Sequence, residues 1–170
     1  YRFKAHSLKE AALADLLLQG LTGADGLLAT RLRAMGLPAE GVSGFVYVPS
    51  QSGQFVLEVV VKPERLDATW KHVLATLSEA SVVPFEHEIM HANRGRLLGQ
   101  LKNAMSQPDG AAKVIGQHHL LWGRDSKLQD WKDAVNAATE SELNKLANRL
   151  FMPPNLTALI TVPMATESIH

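Results

Sequence analysis

Five residues near the middle of the chain, His87-Glu88-Ile89-Met90-His91, have the types and spacing that could do chemistry. They read H-E-x-x-H. On a helix, two imidazoles at i and i+4 can share one zinc ion, and the Glu between them can act as general base on a metal-bound water. Alone, the motif describes a zinc metallopeptidase using His87, Glu88 and His91. It fixes only three of five positions, however, so chance matches are common. A three-histidine zinc site needs a Gly and a further His at set spacing; Ala92-Asn93-Arg94-Gly95-Arg96 follows instead. A carboxylate ligand could be Glu140 or Glu142, and nothing singles out either. At 100° per residue, His87 and His91 point away from the face formed by Phe85, Ile89 and Ala92. The stronger reading is a polar helix face with two exposed histidines. No catalytic residue and no metal ligand is assigned.

The other histidines carry less. His118 and His119 are neighbours, about 100° apart on a helix, and share a metal poorly. His119 falls on a stripe with Ala111, Ile115 and Trp122 and is expected at the core edge. His72 lies opposite the stripe that holds Trp70 and is expected exposed. His6 and His170 sit near the ends. No Gly-rich phosphate loop, nucleophile elbow or carboxylate pair stands out, and the three Trp residues fall at helical stripe spacing.

These residues must be positioned by a chain of 170 residues, enough for one domain with a sizeable core. Lys+Arg and Asp+Glu are equal at 17 each, which gives no electrostatic reason to expect nucleic acid or an anionic membrane as partner. The absence of cysteine excludes disulfides, thiolate metal sites and a Cys nucleophile. No apolar run approaches the roughly 18 residues of a membrane span, so no membrane insertion is expected. No signal peptide is visible, and the start at Tyr1-Arg2-Phe3 reads as that of an excised or processed fragment.

Tyr1 to Ala5 reads as a short strand. Ser7-Leu8-Lys9-Glu10 is a capping box opening a helix to about Gln19, apolar almost all round and so expected buried, with Gly20 as its stop. A second helix, about Gly26 to Met35, ends at Gly36-Leu37-Pro38. Strands at Val42 to Val48 and Phe55 to Val61 flank the turn residues Pro49 to Gly53 and predict an antiparallel hairpin. Leu66, Trp70, Val73, Leu74 and Leu77 form a helical stripe after Pro63. Further helices are expected from Pro84 to about Met105, from Pro108 to about Trp122, after the break at Gly123-Arg124-Asp125, and from the capping box Thr139 to Glu142 until Pro153. Leu156 to Val162 alternates like a half-buried strand. Strands and helices are segregated, which predicts α+β: an antiparallel sheet packed on one side by several helices, in one domain over residues 1–170.

This order of segments resembles the later part of one domain of the pitrilysin and mitochondrial processing peptidase family, the inverted zincins. Leu16-Leu17-Leu18-Gln19-Gly20, then Gly26-Leu27-Leu28-Ala29-Thr30-Arg31-Leu32-Arg33, looks like the family's "iL-x-G … s-x-L-x-x-x-L-R" helix pair, and Gly36-Leu37 stands where it has "G-L-a-Y". Gly53-Gln54-Phe55 resembles "G-x-F-x-i", and Pro84 to Ile89 resembles "i-t-x-x-E-l", in which Glu88 is an ordinary helix-opening acid. Trp122-Gly123, Ala138 to Leu143 and Pro154 to Pro163 match the glycine break, the "v-T-x-e-d-l" segment and the closing strand. Each motif is weak; their order makes the match.

The family's inverted motif, H-x-x-E-H, is absent, and by resemblance it would precede Tyr1. The resemblance therefore implies a bacterial, non-catalytic domain, part of a larger chain whose front part is missing here. It would enclose and orient a peptide substrate beside a catalytic domain or partner subunit that holds the zinc. Arg33 matches the family's substrate-holding Arg. The Tyr that accompanies it would fall near Pro38-Ala39-Glu40, where no Tyr stands. The resemblance also covers a scaffold reading, since core proteins of the respiratory cytochrome complex share this fold. The compartment, bacterial periplasm or cytoplasm, stays open.

Overall fold

Leucine and alanine fill most positions of one segment, and the fold is built around it. In the computed structural model, which describes residues 1–4, 7–23, 25–37, 41–49, 52–83, 85–123 and 126–161, that segment is helix α1 (Leu8–Thr22). Before it comes β1 (Arg2–Phe3); after it come α2 (Leu27–Ala34), β2 (Gly41–Tyr47), β3 (Gly53–Val60), α3 (Leu66–Val82), α4 (His87–Met105), α5 (Pro108–Trp122), α6 (Leu128–Ala137) and α7 (Glu140–Leu150). The sheet is antiparallel in the order β1-β3-β2, and its helices lie on one face. The architecture is α+β, as the segregated segments predict.

Helix α1 packs against α2, β2, α4, α6 and α7 at once. Ala12, Ala14, Leu17 and Leu21 are fully enclosed, joined by Leu28 and Leu32 of α2, Phe55 of β3, Val135 of α6 and Leu150 of α7. Ser7 Oγ accepts the Glu10 N–H at 3.2 Å and caps its start. The helix does not stop at Gly20 but runs on to Thr22, with Gly23 as its C-cap. The reason is packing: Phe85 and the buried Asn93 of α4 come so close that a side chain at position 20 would crowd them.

Ion pairs bind α7 to α1: Lys9 with Glu142 at 2.5 Å and Arg149 with Glu10 at 2.6 Å. Arg31 of α2 pairs with Glu79 of α3 through both guanidinium nitrogens. Arg94 of α4 donates to the Val135 and Ala138 carbonyls at 3.0 and 2.8 Å, satisfying the C-terminal end of α6. Thr139 and Glu142 make the reciprocal capping box at the start of α7. Gly36 takes a φ of +66°, and the Leu37 N–H reaches the Leu32 carbonyl at 2.8 Å. This Schellman-type stop ends α2 where the sequence places it.

Three further expectations fail. Residues 156–161 form no strand: Leu159 is 88% exposed, and no ladder hydrogen bond joins the segment to the sheet among the described residues. The alternating pattern is present, but no strand lies alongside for it to pair with. His119 is exposed, and it is His118 that is half-buried, its Nε2 3.0 Å from Ser126 Oγ. His72 is likewise half-buried rather than exposed. The expectations at Ala5, His6, Pro38, Ser50, Gln51, Pro84, Arg124, Asp125 and residues 162–170 lie outside the described residues.

One carboxyl lies half-buried at the edge of this apolar centre. Asp15 of α1 accepts the indole N–H of Trp131 of α6 at 3.1 Å. Burial pushes its carboxyl from the ordinary 3.8 up to about 7, and the indole hydrogen bond opposes that rise only in part. Between these values the folded chain keeps a proton that the unfolded chain has released. Stability should therefore fall as pH rises from about 4 to 7 and level off above. Asp15→Asn keeps an acceptor for the indole and removes the charge. In urea unfolding it should flatten this decline and exceed the parent at pH 8 by on the order of 1–3 kcal/mol; an unchanged pH profile would place the charge elsewhere. Leu17→Ala, at a fully enclosed position, should cost about 2–5 kcal/mol in the same assay.

Candidate functional site

The H-E-x-x-H residues occupy the first turn and a half of α4, with His87 as its first residue and Glu86 as N-cap. Met90, between them, is buried, while His87, Glu88 and His91 are exposed. His87 Nδ1 lies 2.7 Å from Glu140 Oε1 of α7, with its side chain 81% exposed. The Glu140 carboxyl is held below the ordinary range, first by its own backbone N–H at the start of α7 and then by His87. This is a surface pair closing α4 onto α7.

A zinc ion held by protein needs at least three converging donors. Among the described residues no group of three His, Asp or Glu could hold a metal ion. The residues present therefore do not fit zinc, and no hydrolytic step is derived through one. Arg33 lies on the exposed side of α2 and makes no hydrogen bond or ion pair with a described residue, whereas Arg31 two positions earlier is occupied by Glu79. The position expected for its accompanying Tyr lies outside the described residues.

The bare surfaces are on the sheet. Val42, Gly44 and Val46 of β2 face α1; a Cβ at position 44 would collide with the Val56 carbonyl and with Leu18 of α1. By alternation, Ser43, Phe45 and Tyr47 face away. The register sets them across from Glu58, Val56 and Gln54 of β3. Phe45, Tyr47 and Val60 are about half exposed or more, and Ser43 donates to Glu58 Oε2 at 3.2 Å. No helix covers this face among the described residues.

The edge of β2 is open as well. Tyr1 and Phe55 exchange both backbone hydrogen bonds at 2.9 Å, so the N–H and C=O of Phe55 point toward β1. Its partner Val46 therefore forms a non-hydrogen-bonded pair with it, and the backbone groups of Val42, Gly44 and Val46 point out from β2. They border a cleft of about 780 Å³ walled by α1 and α4, lined by Asp15, Gln19, Gln100 and Asn103 among others. The sequence gives little sign of this cleft. Asp15, a lone acid in an apolar run, was the one signal available. No helix among the described residues is long and apolar enough to cross a membrane.

No family model and no curated protein matches the chain. Solved structures do. The inactive peptidase domain of a protein described as a zinc protease from Bordetella parapertussis superposes with a TM-score of 0.75 at 18% identity, over 98% of this chain and 92% of that one. A protein described as an M16-like peptidase from Alicyclobacillus acidocaldarius gives 0.73 at 15% identity, over 87% of this chain; the chain spans only 36% of that protein's length. A chain of complex III2 from Candida albicans gives 0.66 at 12% identity, over 86% of this chain and 38% of that one. At such identities the likeness is one of fold. At that level it bears out the pitrilysin resemblance: the chain has the fold of an M16-like peptidase domain.

Proposed function

We propose that residues 1–170 form one α+β domain of a larger, bacterial polypeptide of the pitrilysin type, and that the domain is a non-catalytic one. It encloses and orients peptide substrate beside a catalytic domain or partner subunit, and the zinc is held there. One observation carries this reading: the chain and an inactive peptidase domain cover one another almost end to end. The bare sheet face and the open edge of β2 support it. Phe45 and Tyr47 offer apolar contact to peptide side chains, and Val42, Gly44 and Val46 offer backbone groups to an extended chain. Arg33, exposed and unpaired among the described residues, is the residue to hold a substrate carboxylate or carbonyl. The contribution is positioning rather than bond-making. The balanced charge argues against nucleic acid as partner.

A scaffold role is the second reading, favoured by the likeness to the complex III2 chain. A stable hetero-complex without a peptidase partner, in size-exclusion chromatography, would select it.

The purified chain should contain no stoichiometric zinc by elemental analysis and should cleave no peptide; one zinc per chain would overturn the reading. In the assembled peptidase, Phe45→Ser with Tyr47→Ser should raise KM about tenfold with kcat little changed, as expected for lost uniform binding. Arg33→Ala should act in the same direction. Unchanged kinetics in both would remove these residues from the substrate path.

A further inference from the structure

The cleft walled by α1, α4 and β2 holds a carboxyl with no cation beside it. Asp15 is half-buried and lines this space. Its Oδ2 accepts the Trp131 indole N–H at 3.1 Å, and no described residue donates to its Oδ1. Burial and the indole set its pKa of about 7, and no charged neighbour contributes. Arg96 of α4 is the other charged side chain on the wall, and it is engaged elsewhere: it pairs with Asp25 and donates to Asn93 Oδ1 at 3.3 Å. The β2 wall, Val42 to Val46, carries no charge, and α6 brings the neutral indole.

Neutral acceptors line the same cleft. The side-chain amides of Gln19 on α1 and of Gln100 and Asn103 on α4 open into it. None of the three makes a side-chain hydrogen bond to a described residue. An anion entering here would meet the Asp15 carboxylate with Arg96 already neutralised by Asp25. A cation would find one carboxylate and up to three amide oxygens. The free Oδ1 also decides which cation. A guanidinium pairs best through both carboxylate oxygens, and Oδ2 is taken by Trp131. A metal ion lacks a gathering of three His, Asp or Glu among the described residues. A primary ammonium, with three N–H donors on one compact charge, suits one oxygen and the amides around it.

We infer that this cleft is a binding site for a primary alkylammonium group, paired with Asp15 Oδ1 and hydrogen-bonded by Gln19, Gln100 and Asn103. A lysine side chain and a free alkylamine present the same group, so the inference does not rest on the peptidase reading. No backbone group of the sheet edge takes part.

The probe is Nα-acetyl-lysine methylamide, titrated into the 170-residue chain and followed by NMR at the Trp131 indole N–H, which reports on Asp15 directly. Binding should be saturable, and the norleucine analogue, which lacks only the charged group, should bind at least tenfold more weakly. The Asp15 carboxyl is about a tenth ionised at pH 6 and about nine-tenths at pH 8, while the lysine stays protonated throughout. The dissociation constant should therefore fall about tenfold from pH 6 to pH 8. Asp15→Asn keeps an acceptor for the indole and should abolish both the preference for lysine and the pH dependence. Gln100→Leu with Asn103→Leu, at exposed positions of α4, keeps the carboxyl and should weaken binding severalfold. Butylammonium binding as tightly as the lysine derivative would support the site and give a free amine as its ligand; tighter binding of the lysine derivative would support it and give a polypeptide side chain. Equal binding of the norleucine analogue, or unchanged binding in either variant, would overturn the inference. So would a carboxyl already ionised at pH 5 in the free chain, because the chain would then supply its own cation.

Discussion

Everything in this fold leans on the burial of α1 from nearly every direction. A helix so placed needs Ala, Leu or Gly at its buried positions, and all eight buried residues of α1 are of these types, Gly20 among them. Gly20 lets α4 approach, Ala12 and Ala14 let other elements pack closely, and the leucines fill what remains. The outer elements then need only one apolar stripe each. This explains why α7, amphipathic and capped by Thr139 and Glu142, buries only the stripe Leu143, Leu146, Ala147 and Leu150, while α5, farther out, has no fully buried residue. Asp15, at the edge of this centre, cannot hold its charge easily there.

A helix layer on one side fixes the fate of the sheet. With α1 filling the inward face of β2, no described helix covers the outward face, and Phe45 and Tyr47 of β2 remain about half exposed. The hydrogen-bond direction set by Tyr1 and Phe55 propagates across the ladder. It leaves the backbone groups of Val42, Gly44 and Val46 pointing out from β2. Such edges invite pairing with other chains.

Much of this was legible in the residues. Periodicity and capping chemistry located the helices, because Ser7, Thr139, Gly36 and Pro108 act through local bonds or fixed dihedrals that need no tertiary context. The hairpin was legible for the same reason. What failed depended on partners distant in sequence. Gly20 resembles a helix stop until α4 is placed on it. Leu156 to Thr161 alternates like a strand, yet pairing needs a neighbour that alternation cannot supply. The choice between His118 and His119 turned on Ser126 and the end of α5. The cleft residues Gln19, Gln100 and Asn103 come from separate helices and carry no joint signature.

The zinc motif shows the same separation between local pattern and assembled chemistry. Its two histidines can share a metal only if a third donor converges on them, and convergence is a property of the fold, not of five consecutive residues. Here the residue that comes to His87 is Glu140, at the capped start of another helix, and the pair it makes is exposed to solvent. The core positions of α1, in contrast, are chemically inert. A domain can keep every one of them, and so keep the fold, while holding no catalytic donor at all. Fold and metal chemistry are set by different residues in different elements.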